Sequence, residues 1–206
     1  MRRNTAITLA FVGTILGQLV GHAGASEATD RAFMVTAGKS AQPIGHYEFC
    51  RSHAGECNVA SREAVRVRLT PELWNQLVSV NARVNLSVKP ATDMQVYGRD
   101  EVWAYPDGGR GDCEDLALLK RRNLIDKGWP VGALLITVVR QKNGDGHAVL
   151  TVATDRGDLV LDNLQPRVLV WSETDYTYVK RQSELNSGQW MAIEDARTTA
   201  VGSLTR

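Results

Sequence analysis

Gly111-Asp112-Cys113-Glu114-Asp115-Leu116-Ala117-Leu118-Leu119-Lys120 reads as a tight polar entry feeding a strong helix former. Asp112 is placed as the helix cap, and the run continues to about Asp126 before Gly128 stops it. Cys113 therefore falls in the first turn, facing unpaired backbone N–H groups and the positive end of the helix dipole. Both favour thiolate over thiol, and the thiolate is the nucleophile. Upstream, Thr70-Pro71-Glu72 is a helix start, with a capping Thr and Pro at the first helical position. Leu73, Trp74, Leu77, Asn81, Val84 and Val88 follow at helical spacing until Lys89-Pro90 ends the run. Downstream, Ala133 to Arg140, His147 to Ala153 and Leu159 to Asp162 predict three strands. Turns at Asn143-Gly144-Asp145-Gly146 and Asp155-Arg156-Gly157-Asp158 separate them. Val168 to Trp171 and Thr177 to Val179 predict two more short strands. Helices followed by an antiparallel meander make an α+β fold, with helices packed on an antiparallel sheet.

The remaining stretches read as irregular. Ser26 to Lys39 is a small, polar lead-in, and Ala41 to Ala64 is loop-rich. Thr92 to Asp107 is a polar loop carrying Tyr97, Trp103 and Tyr105. The last 20 or so residues predict a short helix near Trp190.

Thiol acyl transfer needs a nucleophile, a base and a third group that fixes the base's tautomer. Cys113, His147 and Asp162 can fill these roles in that order. If the second and third strands form a hairpin, His147 at one strand's start and Asp162 at the next strand's end meet at one edge of the sheet. Each residue also has a blander reading: a core thiol, a surface histidine after a turn, and an Asp-Asn turn. Their joint order and placement favour the catalytic one.

Composition narrows the partners. The chain has 206 residues with 24 basic and 23 acidic side chains. Met1-Arg2-Arg3, the apolar run Ala6 to Val20 and Ala23-Gly24-Ala25 predict a secretory signal peptide over residues 1–25. An uncleaved anchor is the competing reading. Without Arg2 and Arg3 the balance becomes 22 basic against 23 acidic, a net charge of −1. Such a surface gives no reason to expect nucleic acid or an anionic membrane. Residues 26–206 are expected to form one domain, periplasmic or secreted and not embedded in a membrane. Cys50 and Cys57, with six residues between them, can close a disulfide loop in an oxidising compartment. A metal site including His53 competes for the same residues. Cys113 is then the odd thiol, a candidate reactive cysteine.

Cysteine on a helix, then histidine and aspartate on strands, is the chain order of papain-like and transglutaminase-like thiol enzymes. The chain further resembles the bacterial transglutaminase-like cysteine proteinases, the family of the LapG-type periplasmic proteases. The resemblance runs from about Leu69 to the C-terminus. It is carried by Gly111-Asp112-Cys113-Glu114-Asp115 with Lys120, His147-Ala148-Val149-Leu150 and Val160-Leu161-Asp162-Asn163. Weaker matches include Trp74, Val84-Asn85, Asp93, Tyr97-Gly98, Trp103, Tyr178, Gln182-Ser183 and Trp190. It implies a papain/transglutaminase-like cysteine protease fold with a Cys113-His147-Asp162 triad. It also implies calcium beside the nucleophile, bound through Asp112 and Glu114, with Asp115 adjacent. Hard oxygen ligands suit Ca²⁺; a helix cap and first-turn acids are the competing reading of the same residues. Partners implied are a protein substrate such as a large surface adhesin and an inhibitory membrane receptor. Three functions stay open: an endopeptidase, a transglutaminase-like acyl transferase, and a non-catalytic binding module on the same fold.

Overall fold

The computed structural model describes residues 31–195 and Arg197; the expected signal peptide lies outside the described residues. A seven-stranded antiparallel sheet carries the helices. In chain order the elements are β1 (Val35–Ser40), α1 (Ile44–Ser52), α2 (Ala54–Cys57), α3 (Pro71–Ser87), β2 (Lys89–Pro90) and α4 (Asp93–Tyr97). There follow β3 (Arg110–Gly111), α5 (Cys113–Ile125), β4 (Leu134–Arg140), β5 (Gly146–Thr154) and β6 (Gly157–Leu161). The chain then forms β7 (Leu169–Val170), β8 (Thr177–Gln182) and β9 (Trp190–Glu194). The main sheet runs β1-β9-β8-β4-β5-β6-β7, and β2 and β3 form a separate parallel pair.

The helix punctuation acts as expected. Thr70 accepts a hydrogen bond from the Leu73 N–H, Pro71 begins α3, and the helix buries Leu77, Val80, Asn81 and Val84 on one stripe. The β4–β5–β6 hairpins also form, with Leu150 opposite Leu161 and Ile136 opposite Leu150. Side-chain alternation divides these strands between two cores. Leu134, Leu150, Val152, Leu159 and Leu161 join Leu77, Val84, Leu116 and Leu124 beneath the helices. Val139, Val149 and Val160 face the opposite way, onto Trp171, Tyr178 and Ile193.

Four local expectations are corrected. The end of the expected lead-in, residues 35–39, falls in edge strand β1, because β9 pairs with it. β9 itself replaces the helix expected near Trp190; its Met, Ala and Glu suit a helix, but two flanking strands decide the matter. The stretch 41–64 holds α1 and α2 instead of loop, anchored by buried His46 and Phe49. Within Thr92 to Asp107 lies α4, opened by a reciprocal cap between Thr92 and Gln95. The sheet is also not a simple meander, since β8 pairs with β4 on the side away from β5.

Candidate active site

Two short strands position Cys113. Lys89 and Pro90, just after α3, pair with Arg110 and Gly111, and the Ala91 N–H donates to the Gly111 carbonyl at 3.0 Å. This fixes the chain's entry into α5. Gly111 is required there, since a Cβ would stand 2.6 Å from an oxygen of Asp115. Asp115 in turn is fully buried and accepts the Ala104 N–H at 2.8 Å, pinning the preceding loop. Cys113 is the first residue of α5 and a free, partly buried thiol. Its Sγ accepts the Ala148 N–H at 3.4 Å, a contact from the start of β5.

His147 precedes that N–H. Its Nε2 donates to Asp162 Oδ1 at 2.8 Å, leaving Nδ1 as the ring's free proton acceptor. Asp162 follows directly on β6, so the hairpin register brings the two together as expected. The aspartate is further held by the Leu164 N–H on Oδ1 and by the Tyr176 hydroxyl on Oδ2. Asn85, on α3, donates to its backbone carbonyl at 2.8 Å. Burial pushes the Asp162 carboxyl up, but hydrogen bonds from His147 and Tyr176 and the histidine's charge hold it below its ordinary value. Cys113 and His147 line one cavity of about 380 Å³.

The thiol's electrostatics differ from the sequence expectation. Burial, then the charge of Glu114 and a hydrogen bond to it, drive the Cys113 pKa up, and Asp112 adds to this. The S–H points to Glu114 Oε2 at 3.0 Å. Local carboxylates and desolvation thus outweigh the helix dipole, which acts only at short range in water. Lys120 lies two turns further along α5, buried, with burial drawing its pKa down to about 7 against the opposing charge of Asp162.

Asp112 occupies the cap position of α5 without making a side-chain cap, and its Oδ1 is buried with no partner. One oxygen each of Asp93, Asp112 and Glu114 lie within 4.8 Å of one another, and Asp93 Oδ1 is likewise buried and unpartnered. Burial and then Glu114 and Asp93 raise the Asp112 carboxyl to about 7. Orphaned, mutually repelling hard oxygens fit a divalent cation better than a helix cap. Asp115 is not among the three; it holds the loop.

Asp93 and Tyr176 are the members that residue reasoning missed. Asp93 entered only as a match to the family, because it sits on a helix too short to announce itself. Tyr176 had one faint signal, the Tyr176-Thr177-Tyr178 alternation at the start of β8. Cys50 and Cys57 are disulfide-bonded. The histidine beside them is His46, with Nδ1 3.6 Å from Cys50 Sγ and Nε2 3.9 Å from Cys57 Sγ. His53 instead stacks on Phe49 at 4.2 Å, so the metal site imagined there does not form.

The model of the bacterial transglutaminase-like cysteine proteinase family matches residues 36–198. Legionella pneumophila LapG in its calcium-bound form is 30% identical, with a TM-score of 0.50 over 61% of this chain and 71% of that one. Another LapG structure from the same organism gives 31% identity and a TM-score of 0.49, over 61% and 72% of the two chains. An EGTA-treated form gives 30% and 0.49, over 60% and 72%. No curated protein sequence matches the chain significantly. A free cysteine at a helix start, an acid-bound histidine and a family match over most of the length converge: the chain belongs to the bacterial transglutaminase-like cysteine proteinases, a family of cysteine peptidases.

Proposed function

We propose that this protein is an exported cysteine endopeptidase that cuts a periplasmic or surface protein, with Cys113 as nucleophile, His147 as base and Asp162 as the group that orients it. The observation that carries the reading is the His147 Nε2–Asp162 Oδ1 bond at 2.8 Å beside a cavity that His147 shares with Cys113. With Nε2 donating to Asp162, Nδ1 takes the thiol proton and later returns it to the leaving amine. The sulfur attacks the scissile carbonyl carbon, the C–N bond breaks, and water hydrolyses the resulting thioester. The first N–H groups of a helix have no intrahelical partner, so the Cys113 N–H is the candidate donor to the developing oxyanion, the Glu114 N–H being turned to its own carboxylate.

Calcium belongs to this proposal. The relative that shares the fold is described in a calcium-bound form. Asp93, Asp112 and Glu114 would hold the ion here. Its chemistry would be to neutralise the carboxylates that now raise the thiol's pKa. Residues 1–25 as a signal peptide, and one domain over 26–206, complete the proposal. Among the described residues no helix is long and apolar enough to cross a membrane. A surface adhesin as substrate and an inhibitory membrane receptor rest on the family resemblance alone.

The test is to incubate the mature protein with periplasmic and surface-protein extract and map new termini by mass spectrometry. New termini should appear with the wild type and calcium, and vanish with Cys113→Ala. Identical termini from both proteins would sink the endopeptidase reading.

A further inference from the structure

The main sheet ends on β7, and among the described residues no strand lies beyond it. Only its β6 side is paired, Leu169 opposite Val160 and Val170 opposite Leu159. Strand alternation sends its neighbouring side chains into two different cavities. Val168 and Val170 line a mainly apolar one of about 390 Å³ with Leu69, Pro71, Trp74 and Leu159, to which Arg156 and Glu173 add charge. Arg167 and Leu169 line a polar one of about 360 Å³ with Lys142, Gln165, Asp175 and Tyr176. The polar cavity adjoins the one that Cys113 and His147 line, and Gln141 and Leu164 form walls of both.

This segment is held for the purpose. Asn81 on α3 donates to the Pro166 carbonyl at 3.2 Å, and Asn85, one turn on, to that of Asp162. The open edge is therefore rigidly placed relative to the triad, although no strand covers it. An open strand edge flanked by a pocket on each face is the geometry by which extended peptides add to a sheet: main-chain bonds give affinity and alternate pockets give selectivity.

We propose that β7 is a docking strand for an extended stretch of the protein substrate, an exosite that sets which polypeptides reach Cys113. The proposal rests on the endopeptidase reading above. Consecutive substrate residues would alternate: an apolar side chain toward Trp74, then a polar or charged one toward Lys142, Arg167 and Asp175. Val160 lies two residues before Asp162, so the docked strand sits about 7 Å along and about 10 Å across from the triad, or about four to six residues of extended chain from the scissile bond. Trp74 is 37% exposed and Leu164 57%, leaving apolar surface along this path.

The experiment uses the mature protein with calcium and a peptide library made by cutting a bacterial proteome at lysine. Cleaved sequences, read by mass spectrometry, should be enriched in an apolar residue at a fixed distance of about four to six positions from the cut. Trp74→Glu should erase that enrichment. For a synthetic peptide taken from a cleaved sequence it should raise KM about tenfold, with kcat within about twofold. A peptide truncated before the apolar position should be cut equally by both proteins. Arg167→Glu, on the opposite face and away from the core, should change only the preference at the neighbouring position. Unchanged enrichment in both variants would overturn the exosite. A dimer in sedimentation that Trp74→Glu abolishes would assign the edge to a second copy and overturn it as well. No Cys113-dependent cleavage at all would instead overturn the endopeptidase reading beneath it.

Discussion

Two clusters of three potential metal ligands have been resolved in opposite ways. Asp93, Asp112 and Glu114 crowd beside Cys113; His46 and Cys50 on α1 crowd against Cys57 on α2. In the second cluster the sulfurs are bonded to each other, and His46 Nδ1 accepts the Trp190 indole N–H at 3.2 Å. Gln182 lies 3.2 Å from the other ring nitrogen. Nothing there lacks a partner. In the first cluster two carboxylate oxygens are buried without one, and burial and mutual repulsion raise the carboxyls. Ligand identity is similar at the level of counting; unsatisfied capacity tells a staple from a site.

The sharpest test of that contrast separates the cysteines. Cys113→Ala should abolish proteolysis, a loss of at least about 10³-fold, while the melting temperature moves by little. Replacing both Cys50 and Cys57 by serine should leave turnover per folded molecule within a few-fold. Equal loss of activity from both changes, measured on protein shown to be folded, would erase the distinction. Within the active end, His147→Ala should cost on the order of 10³-fold and Asp162→Asn somewhat less. A His147 variant with near-full turnover would show that the base is misassigned.

The quiet end predicts an acid limit on stability. Burial, aided by the charge of Arg121, lowers the His46 pKa from 6.5 to about 4. The folded state thus resists a proton that the unfolded chain accepts. His46's contribution is full above pH 6.5 and is lost as pH falls to about 4, roughly 3 kcal/mol by linkage. Urea midpoints at neutral pH and near pH 4, compared between wild type and His46→Gln, should show the acid loss shrinking in the variant. An unchanged loss would place it on other groups.

The active end predicts a gain from metal. Calcium at about one hundred times its dissociation constant should add about 2.7 kcal/mol of stability if it binds only the folded protein. Glu114→Ala should remove both that gain and the EGTA sensitivity of activity. Titration calorimetry checks the binding directly, and no heat at millimolar calcium with activity indifferent to EGTA would return these acids to structural duty. The smallest effect belongs to the staple. A loop of this length is worth about 2.5 kcal/mol by the chain-entropy relation. The double serine variant should melt lower by a corresponding amount, with no change in calcium response.

Legibility tracked how local the determining signal was. Thr70-Pro71 and Gly128 mark helix ends through their own backbone chemistry, so α3 and α5 were readable. Turn residues at 143–146 set the β4–β5 hairpin and those at 155–158 the β5–β6 hairpin, whose register carries His147 to Asp162. β1 and β9 were not readable, because β1 is a strand only by pairing with β9, and β9 only by pairing with β1 and β8. The chain alone marked Cys113, His147 and Asp162 as candidates for nucleophile, base and orienting acid through local punctuation, and offered the Cys50–Cys57 disulfide, which forms. Only the tertiary structure decided that Asp93 joins Asp112 and Glu114, that Tyr176 holds Asp162, that His46 and not His53 lies against the disulfide, and that the thiol's pKa rises. Each of those follows from burial and from contacts between residues distant in sequence, and desolvation is a property of the packed molecule that no local pattern encodes.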